Sequence, residues 1–96
     1  MSDRFVSHII VSGRVQGVGF RYFVYHQALR YNICGFARNL SNGNVEVYAE
    51  GDKKSVEEFA VKVKTGPPHA FVLNASENHE PIIGAKFSCF EILEDE

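Results

Sequence analysis

Ninety-six residues, 45% of them hydrophobic and 12% aromatic, suffice for one small domain with a single core and exclude a disordered chain. A net charge of −2 argues against a general nucleic-acid binder. No apolar run approaches the ~20 residues of a membrane helix, and two cysteines are too few for a disulfide framework or a four-thiolate zinc site.

Met1-Ser2-Asp3-Arg4 leads directly into a strand-like run with no signal peptide, so the expected setting is the reducing cytoplasm. Phe5 to Ser12 reads as the first strand, with Phe5, Ile9 and Val11 on one face. The loop Gly13-Arg14-Val15-Gln16-Gly17-Val18-Gly19 follows. Phe20 to Tyr31 is expected to be helical, since Phe20, Val24, Ala28 and Tyr31 share a face, and Asn32 suits a C-cap. Gly35 to Leu40 is a second strand. Asn42-Gly43 predicts a tight hairpin whose two central residues both take positive φ. Val45, Val47 and Ala49 alternate with Glu46, Tyr48 and Glu50, which predicts a strand with a wet outer face.

Asp52 or Ser55 can cap a second helix with the stripe Val56, Phe59, Ala60 and Val63, stopped by Gly66-Pro67-Pro68. Ala70 to Ala75 reads as a fourth strand and Asn74 to Lys86 as a mixed loop. Phe87 to Leu93 is a last strand in which Phe90 and Ile92 share a face. The acidic Glu94-Asp95-Glu96 reads as a frayed tail. The order is an α+β, ferredoxin-like βαββαβ sandwich spanning residues 1–96 as one domain. Its mixed sheet should carry two helices on one face and an extra short C-terminal strand.

Charge is segregated. All five arginines precede residue 39, where the only acid is Asp3; all five lysines and the other eleven acids follow residue 45. Arginine suits bidentate recognition of phosphate or carboxylate. Within the basic half, Gly13 to Arg21 carries the strongest chemical signal. Glycines let successive N–H groups point into one concavity, a helix N-terminus adds unpaired donors and partial positive charge, and Arg21 adds a planar cation. Together they form a socket for one tetrahedral dianion. A purely structural strand-to-helix turn with an exposed arginine is the competing reading. No Gly-Lys-Ser or Gly-Lys-Thr follows, and the glycine spacing is not a dinucleotide fingerprint. Asn39, near the end of the second strand, either supports the turn or holds a water through its amide.

Gly13 to Arg21, taken whole, resembles the first signature of the acylphosphatase family. Gly35-Phe36-Ala37-Arg38-Asn39, followed by Gly43-Asn44-Val45 and Gly51, resembles the second. Gly66-Pro67-Pro68 and Phe90-Glu91-Ile92 also fit, so the likeness covers nearly the whole chain. It implies hydrolysis of acyl phosphates to a carboxylate and inorganic phosphate. Arg21 would bind the phosphate, Asn39 would orient the attacking water, and the loop of Val15, Gln16, Gly17, Val18, Gly19 and Phe20 would complete the cradle. Asn42 stands where the family often has Asp.

The chemistry fits what the sequence lacks. There is no helix-spaced His pair, Cys-x-x-Cys or Asp-rich loop, so neither metal nor other cofactor is expected. The leaving carboxylate has a pKa of roughly 4 and needs little help from an acid. Cys34 and Cys89 are expected as free thiols, and Arg14 and Arg38 as solvated or lending field to the site. The expected partner is a small-molecule acyl phosphate bound by a monomer, without nucleic acid or membrane. A non-catalytic RNA-binding module is the rival, opposed by Glu46 and Glu50 on the strand that would face the phosphates.

Overall fold

The computed structural model describes residues 4–96; Asp3, counted above among the acids, lies outside them. The elements are β1 (Arg4–Arg14), α1 (Phe20–Tyr31), β2 (Cys34–Asn39), β3 (Val45–Asp52), α2 (Lys53–Thr65), β4 (Phe71–Pro81) and β5 (Phe90–Ile92). The strands form one mixed sheet in the order β4-β1-β3-β2-β5. β1 pairs antiparallel with β3 and β4, β2 pairs antiparallel with β3, and β5 runs parallel to β2. This is the ferredoxin-like α+β arrangement expected from the alternation of elements.

Period-two and period-3.6 patterning meet in one core. Ile9 and Val11 of β1, Ala37 of β2, and Val45, Val47 and Ala49 of β3 are buried against Phe20, Val24 and Ala28 of α1 and Val56, Phe59, Ala60 and Val63 of α2. Each large apolar side chain so buried contributes about 1.5–3 kcal/mol. α1 occupies its expected span and ends on Asn32 in the left-handed conformation (φ 56°). α2 begins after Asp52, whose side chain makes no capping hydrogen bond. No helix among the described residues is long and apolar enough to cross a membrane.

Four local expectations are corrected. β4 does not give way to a loop at Asn74 but continues to Pro81, paired with β1 as far as Phe5. Asn74, Glu77 and Asn78 are poor strand formers, yet the free edge of β1 offers them a hydrogen-bonding ladder, and pairing overrides local preference. The last strand, in turn, is only Phe90–Ile92. The β2–β3 turn is wider than a two-residue hairpin. Leu40 N–H donates to Asn44 O (2.8 Å), Gly43 N–H to Leu40 O (3.1 Å), and only Gly43 takes a positive φ (95°). Asn42 instead accepts the Asn44 N–H through Oδ1 at 3.0 Å.

Glu50 is the fourth. Alternation put it on a wet face, but it is fully buried. The segment between β4 and β5 crosses the outer face of the sheet, and the Glu50 carboxylate accepts the N–H groups of Lys86 (3.0 and 3.1 Å) and Phe87 (3.3 Å). Beside it, Tyr48 stacks on Phe36 with ring planes 3° apart. Burial, with Glu50 next to it, pushes the Tyr48 hydroxyl pKa up.

Glu50→Ala leaves two main-chain donors without acceptors at a cost of about 2 kcal/mol or more. Urea unfolding should show a lower midpoint at unchanged slope. A midpoint equal to that of the parent chain would show that the crossing segment does not depend on this carboxylate.

Candidate active site

Between the end of β1 at Arg14 and the start of α1 at Phe20 the backbone reverses within five residues. Gly17 (φ 75°) and Gly19 (φ 76°) make the reversal, both in the left-handed region that a side chain disfavours. A methyl group at either position would meet no atom within 4 Å, so the demand for glycine is conformational rather than steric. Gly19 is also the N-cap of α1 and has no side chain to cap it. Among the described residues, no N–H of residues 15–20 donates to a main-chain carbonyl. Such donors at a helix N-terminus, where the dipole adds partial positive charge, favour an anion.

These residues border a cavity of about 170 Å³ lined by Val15, Gly17, Gly19, Phe20, Arg21, Tyr22 and Asn39. A water takes roughly 30 Å³ of liquid, so the space accommodates a tetrahedral oxyanion with a water beside it. Arg21 comes from the first turn of α1 and Asn39 from the last position of β2, so the fold brings to one cavity two residues that stand eighteen apart in sequence.

Asn39 is buried, at 7% exposure, on the helix-facing side of β2 with Ala37. Its side-chain amide lines the cavity and is bonded to none of the described residues. Of the loop residues, Val15, Gly17, Gly19 and Phe20 border the cavity, whereas Gln16 and Val18 do not. Val18 packs against the core. Gln16 Nε2 donates to Leu40 O and Asn44 O, both at 2.8 Å, and so ties the loop to the turn that follows Asn39. Sequence reasoning placed Gln16 in the cradle only; nothing local to it signals acceptors 24 and 28 residues away.

The acidic segment is not frayed. Leu93 N–H donates to Ala37 O and Glu96 N–H to Asn39 O, both at 2.9 Å, so the chain continues beside β2 past the end of β5. Arg21 Nη1 donates to Leu93 O (3.3 Å) and Asp95 Oδ1 (3.0 Å). Glu96 Oε1 accepts both the N–H and the hydroxyl of Ser41 at 2.9 Å. Those two bonds, main-chain first, hold the Glu96 carboxyl below its ordinary pKa of 4.5 against a small opposing effect of burial, and the Arg38 charge adds to them.

Arg38 does not enter the cavity. On the outer face of the sheet its Nε (3.2 Å) and Nη2 (2.7 Å) both donate to Glu46 Oε1, while His8 Nε2 lies 2.7 Å from Glu46 Oε2. Burial alone would raise the Glu46 pKa, but the bonds from His8 and Arg38 outweigh it and the net shift is downward. Cys34 and Cys89 are free thiols.

A family model described as acylphosphatase matches residues 7–92. The chain belongs to the acylphosphatase family. An acylphosphatase from Pseudothermotoga lettingae is 44% identical over 85 residues, covering 88% of this chain and 93% of its own. One from Vibrio vulnificus is 48% identical over 84 residues, covering 88% and 91%. The crystal structure of the Bacillus subtilis acylphosphatase superimposes with a TM-score of 0.87 at 37% identity, covering 93% of this chain and 98% of that one. The match to the acylphosphatase model stops at residue 92, just before the segment that holds Arg21 and the Asn39 carbonyl.

A carboxyl whose pKa is lowered by folding stabilises the folded state above its unfolded pKa, and that contribution is lost as pH falls through the folded value. A carbon-detected NMR titration should therefore find Glu96 below the ordinary carboxylate range. Ser41→Ala, which removes one of the two bonds, should move it back up. Equal values in both proteins would contradict the anchoring.

Proposed function

We propose that this hydrolase of acyl phosphates cleaves the carboxyl–phosphate bond by in-line attack of a water oriented by Asn39. The phosphate is held by the N–H groups of Val15 to Phe20 and by Arg21. Water adds to phosphorus, the bond to the acyl oxygen breaks, and the products are a carboxylate and inorganic phosphate. The observation that carries the reading is the meeting of a cation, a free amide and four loop residues with unpartnered N–H groups, Val15, Gly17, Gly19 and Phe20, around one small cavity.

The chemistry asks for little more. Phosphoryl transfer passes through a loose transition state, so positioning and spreading of charge do most of the work. Oriented N–H donors and one guanidinium supply both. With Nη1 of Arg21 held by Leu93 and Asp95, its Nε and Nη2 are left to fork onto two phosphate oxygens. The water held by Asn39 can give its proton to a phosphate oxygen, and the carboxylate departs without protonation. An alkoxide leaving group would require an acid, which favours acyl phosphates over phosphate monoesters as substrates. On this reading the chain needs neither metal nor organic cofactor. It works as a cytoplasmic monomer on a small-molecule substrate, with no part for nucleic acid.

Phosphate release from acetyl phosphate tests these roles. Arg21→Ala should lower kcat/KM by about a thousandfold or more, since it removes both binding and transition-state charge. Arg21→Lys should fail nearly as badly, because a point charge cannot fork onto two oxygens. Asn39→Ala should lower kcat by about a hundredfold while inhibition by inorganic phosphate persists. EDTA should leave the parent rate unchanged. Near-normal turnover in either alanine variant would remove that residue from the mechanism, and loss of activity in EDTA would remove the metal-free route.

A further inference from the structure

The segment that follows β5 lies along the rim of the site. Its attachments fix where its charges stand. Asp95 is tied to the Arg21 guanidinium, and Glu96 is tied through its main chain to Asn39 and through its carboxylate to Ser41. Glu94 lies on the short span just before them. The side chains are exposed enough to meet a substrate, with Asp95 65% exposed.

Apart from Arg21, with which Asp95 is paired, no residue lining the cavity offsets these carboxylates. Of its seven lining residues only Arg21 is charged, and on the reading above its charge is taken by the phosphate. Arg38 acts on Glu96 electrostatically, but its guanidinium is committed to Glu46 on the other face. At the mouth stands Tyr22, an uncharged ring 68% exposed. An acyl group leaving the cavity therefore meets an aromatic ring and fixed negative charge, with no free cation among the lining residues.

We propose that Asp95, seconded by Glu96, is a charge filter on the acyl half of the substrate, selecting neutral or cationic acyl phosphates over those whose acyl group bears a carboxylate. The inference rests on the reading of the cavity as the phosphate site. In-line attack fixes the order of importance. Water attacks from the Asn39 side, so the acyl group leaves on the side of the phosphate away from Asn39. Asp95, held against Arg21, is then the carboxylate nearest the departing group, while Glu96 sits on the water side and acts from farther away. One like-charge pair at roughly 6–8 Å in a solvent-exposed setting is worth about three- to tenfold in rate or binding. The effect falls with salt. Asp95 and Glu96 lie just beyond residues 7–92, the stretch matched by the acylphosphatase model.

Butyryl phosphate and succinyl phosphate, alike in length and differing by one carboxylate, make the comparison. The quantity to measure is the ratio of their kcat/KM values in the parent chain, Asp95→Asn, Glu96→Gln and the double variant. The parent should prefer butyryl phosphate by about tenfold at about 20 mM salt and by much less at about 500 mM. Asp95→Asn should cut that preference by about threefold or more, and Glu96→Gln by less. A ratio unchanged in the double variant overturns the filter. So does an equal loss on both substrates, which would leave Asp95 only the task of holding Arg21. In either case hydrolysis of butyryl phosphate by the parent keeps the phosphate site intact. A parent chain that hydrolyses neither substrate overturns the site and the filter together.

Discussion

Among the described residues, none of the six consecutive N–H groups of Val15 to Phe20 donates to a main-chain carbonyl, and the architecture around the cavity follows from that deficit. Unpaired donors gathered in one concavity are unfavourable unless water or an anion satisfies them. Two glycines with positive φ make the turn, four of its residues border the cavity, and a helix begins there with the positive end of its dipole. Arg21, one residue into that helix, would ordinarily be disfavoured by the dipole. It is held instead by Leu93 O and Asp95. The proposed phosphate would complete its remaining donors.

The rest of the fold keeps this turn in register with Asn39. β1 and β2 both pair with β3, so the loop leaving β1 and the end of β2 emerge from one sheet with no freedom to slide. Gln16 bridges them directly through the carbonyls of Leu40 and Asn44. The segment after β5 adds a third tie by reaching both Arg21 and the Asn39 carbonyl. A site built from a loop, a helix start and a strand end is therefore braced by main-chain acceptors outside the loop. That bracing suits a reaction in which small displacements of the held groups are costly.

Elements governed by local pattern were legible in the sequence. The α1 stripe of Phe20, Val24 and Ala28, its Asn32 cap and the α2 stripe all read correctly, because each depends on neighbours three or four positions away. The two stretches that carry Arg21 and Asn39 were legible as a glycine-bearing loop and a strand end. Features decided by distant partners were not. β4 runs to Pro81 because β1 has a free edge, and Glu50 is buried because a segment 36 residues later supplies its donors. The acidic residues at 94–96 look solvated by composition. Their placement against Arg21 and Ser41 follows from β5 running parallel to β2, a pairing that no local signal specifies.

The central claim is that the turn from Val15 to Phe20, with Arg21, grips a tetrahedral dianion. Titration of the nitrogen-15-labelled chain with inorganic phosphate tests it most directly. The account predicts saturable shifts concentrated in the amides of Val15 to Phe20 and in the Arg21 Nε, and their loss in Arg21→Ala. Shifts confined to other parts of the surface, or a loop that ignores phosphate while the Arg21→Ala variant behaves like the parent, would contradict it.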